Sequence, residues 1–272
     1  MSESDETPRR GNDLELPDWL TPEIAKAAMR NGNGKGIKIA VIDSGIELAH
    51  PALDGLELAD DLAITHDGVA VNVEEVSGVD LYGHGTAIAY IIQQIAPEAE
   101  IGSFRVLGEN LRSKGVMIRK GVELAFERGY DILNCSFGCR GEARFILPYK
   151  EWVDEAYLRG THIVSACNNN DFRRPEWPGH FSSVITVNHC QLEPEEMYRI
   201  PNSLVEFAAC GEKLRLPWIG GIWRTMNGSS YAAPHMAGFL ARILSECGPM
   251  SVRMAKEMLH QIIPEREADD LL

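Results

Sequence analysis

The chain has 272 residues, of which 44% are hydrophobic, and its formal net charge at neutral pH is −14. This composition is typical of a soluble globular protein with a sizeable core. The negative charge argues against a nucleic-acid partner, because the phosphates would be repelled. No apolar run of about 18 residues occurs, so we expect no membrane span and no membrane partner.

The two ends of the sequence differ in composition from its centre. Residues 1–16 are polar and acidic and lack an apolar stretch of the signal-peptide type, so we expect them to be disordered and the protein to be cytoplasmic. Residues 264–272 form an acidic tail, which leaves 17–263 as one expected domain. The six cysteines include no CxxC pair, and we expect reduced thiols that are mostly buried.

Strand-like and helix-like segments alternate along the chain. A helix is predicted after Thr21-Pro22, a strand at 37–42, and an acidic, irregular segment with at most one short strand at 53–80. Further helices are predicted at 86–95, 115–128, 149–159, 229–246 and 251–262, and further strands at 100–106, 130–134, 162–166, 181–188 and 204–209. This alternation predicts the α/β class, with a single doubly wound, mostly parallel sheet flanked by helices.

Ligands of such sheets collect at the carboxyl ends of the strands, so polar residues at those positions are candidates for function. Asp43 directly follows the first strand, where an aspartate is commonly only a turn cap. His84 opens a helix and has a glycine on either side, which allows backbone and substrate to approach closely.

Two further polar residues occupy similar positions. Ser230 lies at the start of a helix, where serine is usually a cap, but a helix interrupted by Pro234 is costly unless the site requires it. Asn169 follows the strand at 162–166, where its amide could stabilise developing negative charge.

Taken together, these segments resemble the subtilisin-like serine proteases. The similar motifs are Ala40–Ile46 (AVIDSGI), His84-Gly85-Thr86 and Gly228–His235 (GSSYAAPH), in the order Asp, His, Ser that subtilisins show. Shorter counterparts occur at 104–108, 134–138 and 177–179, and the resemblance extends over about residues 20–262.

The resemblance implies a serine endopeptidase that uses neither a cofactor nor a catalytic metal. It gives Ser230 the role of nucleophile, His84 that of general base, Asp43 that of orienting the histidine, and Asn169 that of binding the oxyanion. The partner would be a peptide or protein substrate. It would be held by Ser136, Phe137 and Gly138 on one side, by Leu107, Gly108 and Ser113 on the other, and by Asn168 and Asn170 beside the oxyanion residue.

The sequence departs from the family pattern at several places. Asn168 replaces a glycine before the oxyanion residue, which predicts strain in that loop, and Tyr90 replaces a glycine, which predicts different packing behind its helix. The segment up to Ala96-Pro97 is short, so we expect the calcium-binding loop of many subtilisins to be missing. A long prodomain has no room before residue 20, which favours an intracellular enzyme.

Other interpretations remain open at this level. The chain could be a catalytically silent peptide-binding protein with the same fold, or a nucleotide-binding domain, although its glycine-rich segment 32–36 precedes a strand instead of following one. A protease could be general or dedicated to maturing a precursor peptide. Asp171 could favour a basic residue before the cut, and Arg173 and Arg174 an acidic one nearby. The oligomeric state is undetermined.

Overall fold

The computed structural model of the chain describes residues 19–267. The predictions for residues 1–16 and for most of the acidic tail therefore lie outside the described residues. None of the helices in this range is both long and apolar enough to cross a lipid bilayer. The helices are α1 (Pro22–Asn31), α2 (His84–Ile95), α3 (Gly115–Glu127), α4 (Ile146–Arg159), α5 (Ser229–Cys247) and α6 (Val252–Ile262).

A nine-stranded sheet forms the centre of the structure. The strands of the described chain are β1 (Lys38–Asp43), β2 (Leu58–His66), β3 (Val71–Glu75), β4 (Glu100–Arg105), β5 (Ile132–Cys135), β6 (Cys139–Arg140), β7 (His162–Ala166), β8 (Glu176–Trp177), β9 (Ile185–Cys190), β10 (Met197–Arg199), β11 (Phe207–Cys210), β12 (Leu214–Trp218) and β13 (Ile222–Met226). The large sheet has the order β10-β11-β9-β7-β5-β1-β4-β2-β3, while β12–β13 and β6–β8 form separate two-stranded pairs.

Neighbouring strands of the large sheet are parallel except at its two edges. There β3 pairs with β2 and β10 pairs with β11 in antiparallel fashion. The predicted fold class, a doubly wound and mostly parallel sheet with flanking helices, is confirmed.

Helices cover both faces of the sheet. Side chains of β1 alternate between the two faces: Ile39 and Val41 belong to one buried cluster with α1, α2, α5 and α6, whereas Ala40 and Ile42 belong to another with α3 and α4. A strand whose two faces are both buried has apolar residues at consecutive positions, and this explains the apolar sequence at 37–42.

The segment 53–80 is the main difference from the sequence prediction. It contains the nine-residue strand β2 and the edge strand β3 instead of an irregular segment. Asp60 in β2 accepts hydrogen bonds from Arg128 Nε and Tyr130 Oη, each at 2.7 Å. Because these partners come from the α3–β5 segment, the local acidic composition gave no indication of a strand.

Strands β10, β12 and β13 were also not predicted. The β12–β13 hairpin packs against α2, and Trp223 of β13 lies edge-on to the ring of Tyr90, with 5.7 Å between the ring centroids. Tyr90, for which the sequence predicted different packing, thus contacts the hairpin.

Candidate active site

The predicted site residues lie at one edge of the sheet. Strands β7, β5, β1 and β4 are consecutive and parallel, so their carboxyl ends are adjacent. Asp43 ends β1, and His84 and Ser230 lie at the N-terminal ends of α2 and α5, which pack against each other. The three segments that follow β4, β5 and β7 carry the remaining candidates, namely Leu107, Gly108 and Ser113; Ser136, Phe137 and Gly138; and Asn168, Asn169 and Asn170.

Asp43 and His84 form a buried pair. The distance between Asp43 Oδ1 and His84 Nδ1 is 2.8 Å, and the same oxygen accepts a hydrogen bond from the Ser44 backbone N–H at 2.7 Å. Since a carboxylate only accepts hydrogen bonds, it selects the tautomer with the proton on Nδ1. His84 Nε2 is then the nitrogen available to accept a proton.

The environment of His84 acts on its pKa in two opposite directions. Burial lowers the pKa because it penalises the charged imidazolium. The charge of Asp43, the hydrogen bond to Asp43 and the charge of Asp80 raise it, and together they outweigh burial, so the pKa lies above the ordinary histidine value. The site therefore stabilises an imidazolium once it forms.

The glycines beside His84 allow close packing around it. A Cβ on Gly83, whose φ is +107°, would lie 2.8 Å from ring atoms of Trp218. A Cβ on Gly85 would lie 2.1 Å from the Gly45 carbonyl oxygen. Larger residues at either position would displace the start of α2 and with it His84.

Asp80 organises the turn that precedes His84 and was not identified from the sequence. Its Oδ1 accepts hydrogen bonds from the Ser44 hydroxyl and from the backbone N–H groups of Tyr82 and Gly83 at 2.8–2.9 Å. Its Oδ2 accepts from the backbone and hydroxyl of Thr86. An aspartate just before a helix whose first N–H groups need partners was the available signal.

Ser230 is half-buried at the start of α5, and its hydroxyl donates to the Ser136 carbonyl at 3.1 Å instead of to His84. Its own carbonyl accepts a hydrogen bond from Ser136 Oγ at 2.8 Å. That carbonyl would ordinarily accept from residue 234, but proline has no N–H. Because of Pro234, the Ser230 carbonyl is available to accept from Ser136, and this hydrogen bond connects α5 to the segment that follows β5.

Asn169 is fixed by the residue that precedes Ser230. Its Oδ1 accepts from the Ser229 backbone N–H at 2.8 Å and lies 2.9 Å from the Ser229 hydroxyl. With the amide oxygen occupied, the amide NH₂ is the group left to donate. Asn169 is exposed, as an amide must be if it is to meet a substrate.

The strain predicted at Asn168 is not observed. Within the described chain, the non-glycine residues with positive φ are Leu111, Asn202 and Lys213. Asn168 instead stabilises its loop, because its Oδ1 accepts from the backbone N–H groups of Asn170 and Asp171 at 3.0 and 3.1 Å. A side chain that closes an Asx turn removes the need for a glycine.

The segment after β4 is connected directly to the candidate aspartate. The Leu107 backbone N–H donates to the Asp43 carbonyl at 3.0 Å, and Ser113 Oγ donates to the Val106 carbonyl at 2.7 Å. Gly108 closes this loop through a hydrogen bond from its N–H to the Arg112 carbonyl at 3.0 Å. The loop therefore lies on the opposite side of Asp43 from the segment that follows β5.

A carboxylate that sets the tautomer of a histidine, close to a serine that opens a buried helix, is an arrangement typical of serine hydrolases. Comparison with known proteins specifies this class further. The model of the subtilase family (Peptidase_S8) matches residues 34–269. The chain belongs to the subtilase family, and its enzyme class is that of the serine-type endopeptidases.

Individual relatives agree with this assignment. The chain is 31% identical over 258 residues to the minor extracellular protease Epr of Bacillus subtilis (strain 168), covering 90% of this chain but 38% of Epr. It is 30% identical over 253 residues to the major intracellular serine protease of the same organism, covering 85% of this chain and 76% of that protein. A cold-adapted subtilisin-like serine proteinase of known structure shares the fold, with a TM-score of 0.69, 21% identity and coverage of 89% of this chain and 87% of the other.

Proposed function

We propose that the chain is an active endopeptidase in which Asp43, His84 and Ser230 form the catalytic triad and Asn169 completes the oxyanion hole. The observation that carries this proposal is the buried 2.8 Å contact between Asp43 and His84 Nδ1, which leaves Nε2 as the base. A histidine held this way has little function in a protein that only binds peptides.

In the first half of the reaction, Ser230 Oγ attacks the scissile carbonyl while His84 Nε2 takes its proton. The hydroxyl must turn from the Ser136 carbonyl towards His84 when a substrate binds, since catalytic hydrogen bonds often align only in the complex. Asp43 stabilises the imidazolium that results. The new bond joins Oγ to the carbonyl carbon, and the carbonyl oxygen becomes an anion.

The oxyanion is bound by the Asn169 amide and by the backbone N–H of Ser230 at the start of α5, where the helix dipole also favours negative charge. His84 then protonates the leaving amine as the C–N bond breaks. Water, activated by the same histidine, hydrolyses the acyl-enzyme and regenerates Ser230. The segments after β4 and β5 would hold the substrate as an added strand between them.

A silent peptide-binding protein is the competing function, and the orientation of the Ser230 hydroxyl towards Ser136 is the observation that favours it. A fluorophosphonate probe with intact-mass readout separates the two. We expect one adduct on the wild type, none on Ser230→Ala, and an unchanged adduct on Ser182→Ala, which removes an exposed serine as a matched control.

An unlabelled wild type whose circular dichroism shows a folded protein would contradict the proposal. Labelling that persists in Ser230→Ala would place the nucleophile elsewhere.

We further propose that the enzyme acts inside the cell. The relative named as an intracellular serine protease supports this. The six cysteines also support it, because none of them, all within residues 19–267, forms a disulfide and most are buried, which suits a reducing compartment. Fractionation with an antibody against the chain tests the location.

The substrate range follows one of two patterns, general turnover or maturation of a precursor peptide. A proteome-derived peptide library, read by mass spectrometry after digestion, distinguishes them. A general protease cuts many sequences that share only a loose preference. A dedicated enzyme cuts few and requires defined residues on both sides of the bond.

A further inference from the structure

Glu176 is a half-buried carboxylate between two segments of the candidate site. It lies on β8, which pairs with β6, and β6 directly follows the segment Ser136–Gly138. Glu176 has no role in the proposed triad or oxyanion hole. Because it lies between two segments that would contact the substrate, it could instead affect which substrates bind.

The Glu176 side chain lies directly against Gly138. A Cβ built on Gly138 would lie 2.5 Å from Glu176 Cγ, 2.6 Å from Cδ and 2.9 Å from Oε2. Only glycine leaves room for this contact. The carboxylate thus lies beside the backbone that we propose holds the substrate.

A polar interaction with the Asn168 side chain lowers the pKa of Glu176. Asn168 Oδ1 is occupied by two backbone N–H groups of its own loop, so the amide NH₂ is free to make this contact. Asn168 precedes the candidate oxyanion residue. Glu176 therefore connects the segment that holds the substrate strand to the loop that meets the scissile carbonyl.

Among residues 19–267, no lysine, arginine or histidine side chain forms an ion pair with the Glu176 carboxylate. Arg140 lies directly opposite Glu176 in the β6–β8 pair, but its side chain is exposed and makes no ion pair with it. Burial raises the pKa of Glu176, and the polar interaction with Asn168 only partly opposes this. A cation arriving with the substrate would restore the favourable environment of the charge.

The acidic residue suggested by the sequence, Asp171, is in a different situation. It is partly exposed, lies 3.4 Å from Arg174 Nε, and accepts a hydrogen bond from the Arg173 backbone N–H at 3.1 Å. Its own loop thus already satisfies its charge.

We propose that Glu176 binds the ammonium or guanidinium group of a substrate lysine or arginine, at the residue that carries the scissile carbonyl. That residue is the one whose side chain would lie between the segment at Gly138 and the loop at Asn168. The methylene groups of a lysine or arginine side chain would pass the Gly138 backbone, and the positive charge at the end of the side chain would reach the Glu176 carboxylate. This inference rests on the proposed function, because it assumes the same substrate path.

The test compares acylated tetrapeptide anilides that differ only in the last residue: arginine, lysine, methionine or glutamine. We expect the wild type to cleave the arginine and lysine substrates with a kcat/KM about tenfold or more above the methionine substrate. Glu176→Gln, which keeps the shape and the Asn168 contact, should abolish this ratio while leaving the methionine substrate within about threefold of the wild-type value. Asp171→Asn is the matched control and should keep the ratio.

An unchanged ratio in Glu176→Gln, or a preference lost in Asp171→Asn instead, would overturn the assignment. Peptide binding by Ser230→Ala separates recognition from catalysis. In fluorescence anisotropy, a peptide with arginine at this position should bind about tenfold tighter than its glutamine counterpart, and the added Glu176→Gln substitution should remove the difference. Equal binding of the two peptides contradicts the role of Glu176, whereas fluorophosphonate labelling of Ser230 reports independently on the proposed activity.

Discussion

His84 is a residue at which two carboxylates oppose the effect of burial. Without Asp43 and Asp80, burial would lower the pKa of the imidazole below its ordinary value. With them, its pKa lies above the ordinary value, and the histidine that we propose takes the serine proton is also the one whose charged form is stabilised.

This raised pKa predicts the acid side of the pH profile. Because the base must be neutral, kcat/KM should rise with pH through a pKa above about 6.5, the ordinary histidine value. Asp43→Asn removes the partner charge, so the rise should move to lower pH while the rate falls by about 10⁴-fold. Initial rates of peptide anilide hydrolysis between pH 5 and pH 9 test both effects, and a flat wild-type profile would argue against His84 as the base.

At the scale of elements, the start of α5 is connected to the end of β5 by a hydrogen bond that depends on a proline. Pro234 cannot donate to the Ser230 carbonyl, and Ser136 Oγ takes that place at 2.8 Å, while Asn134 Nδ2 donates to the same hydroxyl at 2.9 Å. The sequence pattern around Pro234 thus has a structural explanation as well as the proposed catalytic one.

A double-mutant cycle tests this connection. Ser136→Ala alone should lower the free energy of unfolding by about 1–3 kcal/mol, because it leaves the Ser230 carbonyl without a partner. In a Pro234→Ala background the same change should cost less, since residue 234 then supplies a helical N–H to that carbonyl. Urea unfolding of the four proteins measures the coupling, and strictly additive values would show that the two residues act independently.

At the scale of the whole molecule, two buried histidines couple stability to pH. His162 at the start of β7 and His235 in α5 are both buried, and burial lowers the pKa of each to about 4. Hydrogen bonds with the backbone of Met250 and Tyr231, respectively, offset only part of this.

The resulting prediction is a loss of stability in mild acid. In the unfolded chain each histidine binds a proton near pH 6.5, whereas in the folded chain it does so only near pH 4, so the free energy of unfolding should fall as pH decreases through this window. At the acid end of this window, near pH 4, each histidine has lowered the free energy of unfolding by about 3 kcal/mol. Urea titrations at several pH values should show a shallower decline for His235→Gln than for the wild type. His66→Gln, at a partly exposed position, is the control, and an equal decline in all three proteins would contradict the explanation.

The sequence by itself determined the fold class and the positions of the candidate catalytic residues. Apolar runs that end in a polar residue marked β1 and β7, and helices that begin at His84 and Ser229 were predicted within a residue or two of their observed starts. Such features are local, because an apolar strand and a helix start each depend on residues close in sequence.

Only the tertiary structure decided the rest. Strand β2 is stabilised by Arg128 and Tyr130, the Asp80 carboxylate accepts a hydrogen bond from the Ser44 hydroxyl, and the place of Glu176 depends on Gly138 and Asn168, which come from two other strand ends. Each of these contacts joins residues far apart in the chain. These contacts form only when the folded sheet brings the residues together, so no short stretch of sequence predicts them.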